Sequence, residues 1–292
     1  MNESVIQRFW NNHPCGDGQI GGLAGYRGDY EAFFKTYDRF RYAREAHILG
    51  CLDQIDFKGK KTLEIGLGQG ADSEQIIRRG AQWTGVDVTW ESVERVRLRM
   101  DLRMLPRCGE FQASALTLPF ANNHFDIVFS HGVLHHIPEI LKAQKEIFRV
   151  MKPTGELIVM LYSRYSLNYL LSIFLVRRLG LFMLYGLGIR LRGNTGQHIR
   201  NAREMGLFRY LRMKTFLHKN TDGPLNPYSK VYSLKTVKED FPDFEIVKAY
   251  KRFMHAPPLP IRRIPLDRLL GWHLWVHLKP KKGGSPILNG CQ

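Results

Sequence analysis

The chain has 292 residues, 44% of them hydrophobic and 24% charged, enough apolar residue for a packed core and too much for a disordered chain. Lys and Arg number 43 against 27 Asp and Glu, a net charge of +16, which implies attraction to something anionic: nucleic acid, a membrane surface or a phosphorylated substrate. The cysteines, Cys15, Cys51, Cys108 and Cys291, form no C-x-x-C pair and read as reduced thiols. The opening MNESVIQRFWNNHPCG has no secretory-type apolar run, so the cytoplasm is the expected compartment.

Residues 1–57 predict an aromatic, Gly-punctuated cap that continues into a helix over Tyr30–Cys51. A core follows over 58–162. Lys61–Ile65 is a short apolar strand running into the loop Gly66-Leu-Gly-Gln-Gly70, and a helix passes through Ile76 and Ile77. A strand from Trp83 ends near Asp87, a strongly basic helix covers Ser92–Met100, and a third strand lies near Glu110–Ala113. Ile127–Ser130 is a fourth strand. A helix from Pro138 to Met151 stops at Lys152-Pro-Thr-Gly155, and Glu156–Tyr162 is a fifth strand. Residues 163–233 break this rhythm as an apolar and basic insertion. Core elements resume over 234–280 with a helix at Leu234–Phe241 and strands at Glu245–Phe253 and His273–Leu278. Residues 281–292 form a tail, with fraying expected from Lys279. The β-α alternation predicts an α/β fold with a mostly parallel sheet covered on both faces.

Glu64-x-Gly66-x-Gly68-x-Gly70 lies between a strand and a helix. Glycines let the backbone turn sharply and approach a ligand, and the helix behind offers free N–H groups. Gly66-x-Gly68-x-x-Ala71 also fits a dinucleotide fingerprint, which makes NAD the rival ligand. Glu64, an acid at the end of the first strand, suits a cationic amino-acid ligand better than a pyrophosphate. The ordered series Leu63–Gly70, Gly85-Val-Asp87, Leu118-Pro-Phe120, Phe125-Asp-Ile-Val128, Leu134-His-His-Ile137 and Val150-Met-Lys-Pro-x-Gly155 covers about residues 60–162. It resembles the class I, Rossmann-like S-adenosylmethionine-dependent methyltransferases, particularly the ubiquinone/menaquinone-biosynthesis type.

That resemblance implies a seven-stranded sheet and S-adenosylmethionine as cofactor. It implies that Glu64 and the loop Gly66, Leu67, Gly68 and Gly70 face the methionine part. Asp87, with Val88, should accept from both ribose hydroxyls, and Ser130 and His131 should flank the sulfonium. Ser114 stands where the family usually has an Asp beside the adenine, so that contact leans on the backbone of Ala115. Asp126 is expected to close a turn and to touch no ligand.

Methyl transfer needs a positioned acceptor and a destination for a proton. His131, His135, His136 and Tyr162 are the candidates, with one of the adjacent histidines expected to be structural and the pair expected to open the helix after the fourth strand. No metal is expected, because adjacent histidines are weak ligands. Tyr26, Tyr30, Tyr37 and Arg41 are candidate substrate contacts, whereas Phe33, Phe34 and Phe40 read as ordinary packing.

Between Ser163 and Lys219 the insertion carries 11 Lys and Arg and one acid, Glu204. Arg177-Arg178 in the middle of the apolar stretch Leu167–Ile189 argues against a transmembrane helix. Two helices packed as a lid, with solvated arginines, are expected. A cation-rimmed lid would admit an apolar or amphipathic acceptor or settle on anionic lipid. Tyr210-x-x-x-Lys214 matches a short-chain dehydrogenase pair by spacing only. The expected function is methylation of a small molecule. The alternatives are a nucleic-acid methyltransferase, suggested by the charge but lacking an Asn/Asp-Pro-Pro-Tyr/Phe motif after strand four, and a non-catalytic cofactor-binding protein.

Overall fold

The structure, a computed structural model, describes residues 2–189 and 191–281. The predicted tail beyond residue 281, with Cys291, lies outside the described residues.

Seven strands form one sheet: β1 (Lys61–Ile65), β2 (Gln82–Asp87), β3 (Gly109–Gln112), β4 (Phe125–His131), β5 (Met151–Tyr162), β6 (Phe244–Arg252) and β7 (His273–Pro280), in the order β3-β2-β1-β4-β5-β7-β6. The first five run parallel, and β7 is antiparallel to both β5 and β6. Strand order reverses between β1 and β4, and the crevice beyond their carboxyl ends is where such sheets take ligands.

Alternation along β1 sets the two faces. Leu63 and Ile65 join an apolar layer with Val86, Val128, Ile147 and Val237. The opposite layer gathers Ile76, Trp83, Val96, Phe129 and Trp275, and Glu64 lies on this face, with Trp83 donating to it.

Helices cover both faces. Over the cap these are α1 (Glu3–Asn12), α2 (Asp17–Ile20), α3 (Tyr30–Arg44) and α4 (His47–Leu52). In the core they are α5 (Ala71–Arg78), α6 (Trp90–Leu102) and α7 (Ile140–Val150). In the insertion a π-helix over Asn168–Arg177 runs into α8 (Arg178–Gly186), then α9 (Gly193–Met205), α10 (Leu207–Tyr210) and α11 (Met213–Thr221). α12 (Leu234–Asp240) and α13 (Asp267–Leu270) follow. Side chains of Asp29, Thr89 and Ser233 cap α3, α6 and α12 by accepting from backbone N–H groups inside each helix. α7 buries Ile140, Ala143, Ile147 and Val150, a helical-period stripe.

Several expected boundaries move. The helix expected over Tyr30–Cys51 breaks at Glu45–Ala46 without a Gly or Pro. Tertiary contacts hold the second piece, in which His47 stacks on Phe253 and hydrogen-bonds His273. His135 and His136 do not open α7; they form a separate 3₁₀ turn over Leu134–His136. Ile137, which precedes Pro138, is extended, as a residue before proline prefers. The fifth strand begins at Met151 and absorbs the Lys152–Gly155 turn as an irregularity. Lys279 and Pro280 are not frayed; they pair with Glu245 and Phe244. The insertion holds more than the two helices expected.

Candidate functional site

A cavity of about 1,210 Å³ of atom-free space, partly open to solvent, lies over the carboxyl ends of β1, β2 and β4. Its floor is Glu64–Gln69, Val86–Val88 and His131–Val133, and its walls include Ala113, Ala115, Leu116 and His136. Its roof is the cap: Glu3, Ile6, Trp10, Pro14, Cys15, Tyr37 and Arg41. No described residue of the insertion lines it, so the expected lid role passes to residues 3–41.

The glycine loop is shaped by contacts as well as by φ. Gly66 and Gly70 have φ of 84° and 74°. A Cβ at Gly66 would lie 2.1 Å from Val133 Cγ2, and one at Gly70 would press on Val96 and Arg99. Asp87 closes β2 and organises this loop. Its Oδ2 accepts from Leu67 N (2.8 Å), and its Oδ1 accepts from Thr89 N (2.8 Å) and Thr89 Oγ1 (2.7 Å). A carboxylate has about four acceptor positions, so three are filled. The Thr89 hydroxyl also has Ser92 Oγ 2.9 Å away as a partner.

Glu64 is buried, with Trp83 Nε1 donating to Oε2 at 2.8 Å. Burial outweighs its hydrogen bonds and pushes its pKa up to about 8.

Three side chains converge beside the loop. Asp72, in the first turn of α5, places Oδ2 2.6 Å from Arg41 Nη2 and 2.5 Å from His131 Nδ1. Despite its burial, the Arg41 charge and the hydrogen bond with His131 hold its pKa below the usual carboxylate range. Asp72 Oδ1, Arg41 Nε and His131 Nε2 are buried without partners, although all three residues line the cavity. A donor, an acceptor and a ring nitrogen left idle together fit the ammonium and carboxylate of an amino-acid ligand with room for a reacting proton. His131 Nδ1 also lies 3.0 Å from Arg41 Nη2, so the ring is held beside both the carboxylate and the guanidinium.

The remaining predicted residues divide. Leu67, Gly68, Val88, Ala115, Tyr37 and Arg41 reach the cavity. Ser114 does not. Its hydroxyl donates to Glu3 Oε1 (2.5 Å) and accepts from Leu116 N (3.0 Å), so the carboxylate on this side comes from α1. Ser130 is buried and donates to the Ile65 carbonyl at 3.0 Å, joining β4 to β1. Tyr26 donates to the Ile20 carbonyl, and Tyr30 faces a separate open groove beside Asp17 and Arg95. Asp126 fastens strand ends, accepting from Lys61 N and Lys152 Nζ.

His136 lines the cavity, whereas His135 is fully buried behind it and burial drives its pKa well below the usual value. Tyr162 is packed between His135 and Trp272, and it donates to Asp222 Oδ1 at 2.7 Å. Burial, then the Asp222 charge, raises its pKa well above that of free tyrosine, so it stays protonated and away from the cavity. Glu3, Asp72 and Asp222 were missed from sequence. Only Asp72 carried a signal, its place in the first turn behind the glycine loop.

Residues 63–159 match the profile of the methyltransferase domain family. A ubiquinone biosynthesis O-methyltransferase of Vibrio cholerae is 30% identical over 146 residues, 50% of this chain and 58% of that protein. A ubiquinone/menaquinone biosynthesis C-methyltransferase of Psychromonas ingrahamii is 34% identical over 111 residues, 36% of this chain and 44% of that one. The chain spans about half the length of the first curated relatives it matches. A solved S-adenosylmethionine-dependent methyltransferase from Mesorhizobium loti shares the fold of the methyltransferase domain and its surroundings, with TM-score 0.51 at 16% identity over 80% of this chain and 97% of that one.

Proposed function

We propose that this protein transfers a methyl group from S-adenosylmethionine to a small apolar or amphipathic acceptor. The carrying observation is the cavity in which Asp87 and the glycine loop stand beside the unpartnered Asp72, Arg41 and His131 atoms. When bound, the cofactor supplies an electrophilic methyl group on a sulfonium.

The chain's own groups divide the remaining work. Asp87 orients the ribose, and the turn at Gly66–Gly70 admits the backbone close to the ligand. Glu3 and the Ala115 backbone border the adenine side. Asp72 Oδ1 and Arg41 Nε take the charged ends of the amino acid. His131 Nε2 accepts the acceptor's proton while Asp72 holds the ring through Nδ1. The cap excludes water from this arrangement.

Ile6, Trp10, Leu116, Val133 and Ile137 give the cavity an apolar wall, which favours an apolar acceptor. Relatives are named for ubiquinone biosynthesis, sterol methylation and phosphoethanolamine methylation, which supports a small-molecule acceptor. The helix Asn168–Gly186 is long and apolar enough to cross a membrane, and little of it is buried. It exposes Leu170, Phe174, Leu175, Leu179, Phe182 and Met183. Arg177, expected in solvent, instead turns inward and donates to the Pro257 and Asn220 carbonyls. This side favours peripheral contact of a cytoplasmic protein with a lipid surface rather than a span. Incubation with methyl-labelled S-adenosylmethionine and a panel of phenols, quinols, sterols and amines tests the reading. Label in an apolar acceptor supports it. Cofactor binding with no labelled product from any class would favour the non-catalytic alternative.

A further inference from the structure

Behind the cavity wall, His135, His136 and Asp222 bring one ligand-capable atom each to within 4.8 Å of one another. The two histidines sit on the 3₁₀ turn after β4, and Asp222 follows α11 in the insertion, 86 positions from His136. Glu139, the nearest carboxylate in sequence, is not in this cluster, and the fold supplies Asp222 instead.

The cluster is both buried and unsatisfied. His135 is fully buried, and His136 is 3% exposed. Four atoms have no hydrogen-bond partner: His135 Nδ1, His135 Nε2, His136 Nε2 and Asp222 Oδ2. A neutral imidazole carries one donor and one acceptor, so His135 leaves both idle, a costly state for buried polar groups. The one approach within the cluster, His136 Nε2 to Asp222 Oδ2, is 3.4 Å, long for a charged hydrogen bond.

The atoms that do have partners orient the idle ones. His136 Nδ1 lies 2.7 Å from the Tyr228 carbonyl, to which it donates, and this leaves the Nε2 lone pair free. Ser229 Oγ is 3.1 Å from the same Nδ1. Asp222 Oδ1 accepts the Tyr162 hydroxyl, which leaves Oδ2 free. Outer contacts of this kind, a ring N–H on a carbonyl and a carboxylate held by a donor, fix ligands around protein-bound metals.

We propose that His135, His136 and Asp222 bind a divalent transition-metal ion. Two imidazole nitrogens and one carboxylate oxygen suit Zn²⁺ or Fe²⁺ and not Mg²⁺ or Ca²⁺, which favour all-oxygen sets. Three protein ligands leave at least one coordination position open, and His136 puts the ion at the cavity wall. The site does not depend on the methyl-transfer reading.

The test uses the full-length, untagged chain, stripped with EDTA, desalted and titrated calorimetrically with Zn²⁺, with metal content measured after dialysis. One Zn²⁺ per chain at micromolar affinity or tighter is expected. Asp222→Asn and His136→Gln should each weaken it at least tenfold, whereas Cys15→Ser should leave it unchanged. Co²⁺ should give visible ligand-field bands without a sulfur charge-transfer band, and these bands should vanish in Asp222→Asn. Circular dichroism identifies any variant that fails to fold. The conservative Asp222→Asn, which retains an acceptor for Tyr162, keeps the test valid if the histidine variant does not fold. Substoichiometric uptake by the parent chain, or equal affinity in folded Asp222→Asn, overturns the proposal.

Discussion

Residues 3–44 and residues 163–233 both lie outside the alternating core, yet only the first covers the cavity. The cap is fastened by polar links. Arg95 grips Asp17 through two hydrogen bonds, Gln69 from the glycine loop donates to Asp17 Oδ1 and the Cys15 carbonyl, and Gln7 donates to the Val88 carbonyl. Arg99, fully buried, joins Asp38 of α3 to Glu74 of α5. The insertion holds on by apolar packing through Ile173, Tyr210 and Phe216, with hydrogen bonds at Arg177, Asp222 and Tyr228, and leaves a greasy outer face. Charge and apolar surface thus serve different ends. Ion pairs close a cavity built for a charged ligand, and the apolar segment faces outward. The same division accounts for the basic helix Ser92–Met100, since Arg95, Arg97 and Arg99 are all paired with acids.

The largest effect expected on the cap side is on chemistry. His131→Gln should lower kcat by about a hundredfold or more, the usual range for a lost general base, while S-adenosylmethionine affinity changes little. An unchanged kcat would mean that positioning alone drives the reaction. Asp17→Ala leaves buried Arg95 without its bidentate partner and should loosen the cap. Stopped-flow measurement should find S-adenosylhomocysteine leaving about tenfold faster, and an unaltered rate would show that the latch is not what retains ligand.

Glu64 offers a pH test of the cavity floor. Its folded pKa, about 8, lies above its ordinary value of 4.5, so the folded state holds the proton longer than the unfolded state does. Stability from this group is greatest below pH 4.5 and falls as pH rises through 8. Glu64→Gln should remove that decline, worth on the order of 2–3 kcal/mol between pH 5 and 8. Denaturant midpoints at the two pH values, parallel for parent and variant, would place Glu64 in a more polar setting. The smallest effect belongs to the outer helix. Combining Leu179→Ser, Phe182→Ser and Met183→Ser should leave cofactor affinity within about twofold but abolish sedimentation with anionic vesicles. A large loss of cofactor affinity would mean that the insertion does reach the site.

The core was legible because its signals are local. β1 matches its expected span, Lys61–Ile65, and Gly66–Gly70 and Asp87 sit where a strand-to-helix turn and a strand end must lie. The alternation pointed to a mostly parallel sheet, and five of the seven strands run parallel. What escaped the sequence is what comes from far along the chain. Glu3 reaches Ser114 across 111 positions and Arg41 reaches Asp72 across 31, with no periodicity to announce either. Asp222 reaches Tyr162 from an insertion whose polar residues looked like a solvated surface. His135 and His136 could not be told apart by spacing, since a 3₁₀ turn, not a helix, decides which ring faces the cavity.

The decisive measurement for cofactor binding is calorimetric titration with S-adenosylmethionine, comparing the parent chain with Asp87→Ala. One site per chain is expected, with at least a tenfold loss, about 1.4 kcal/mol, when the carboxylate that shapes the loop and meets the ribose is removed. No heat of binding at millimolar cofactor, or the same affinity in both proteins, would contradict the assignment.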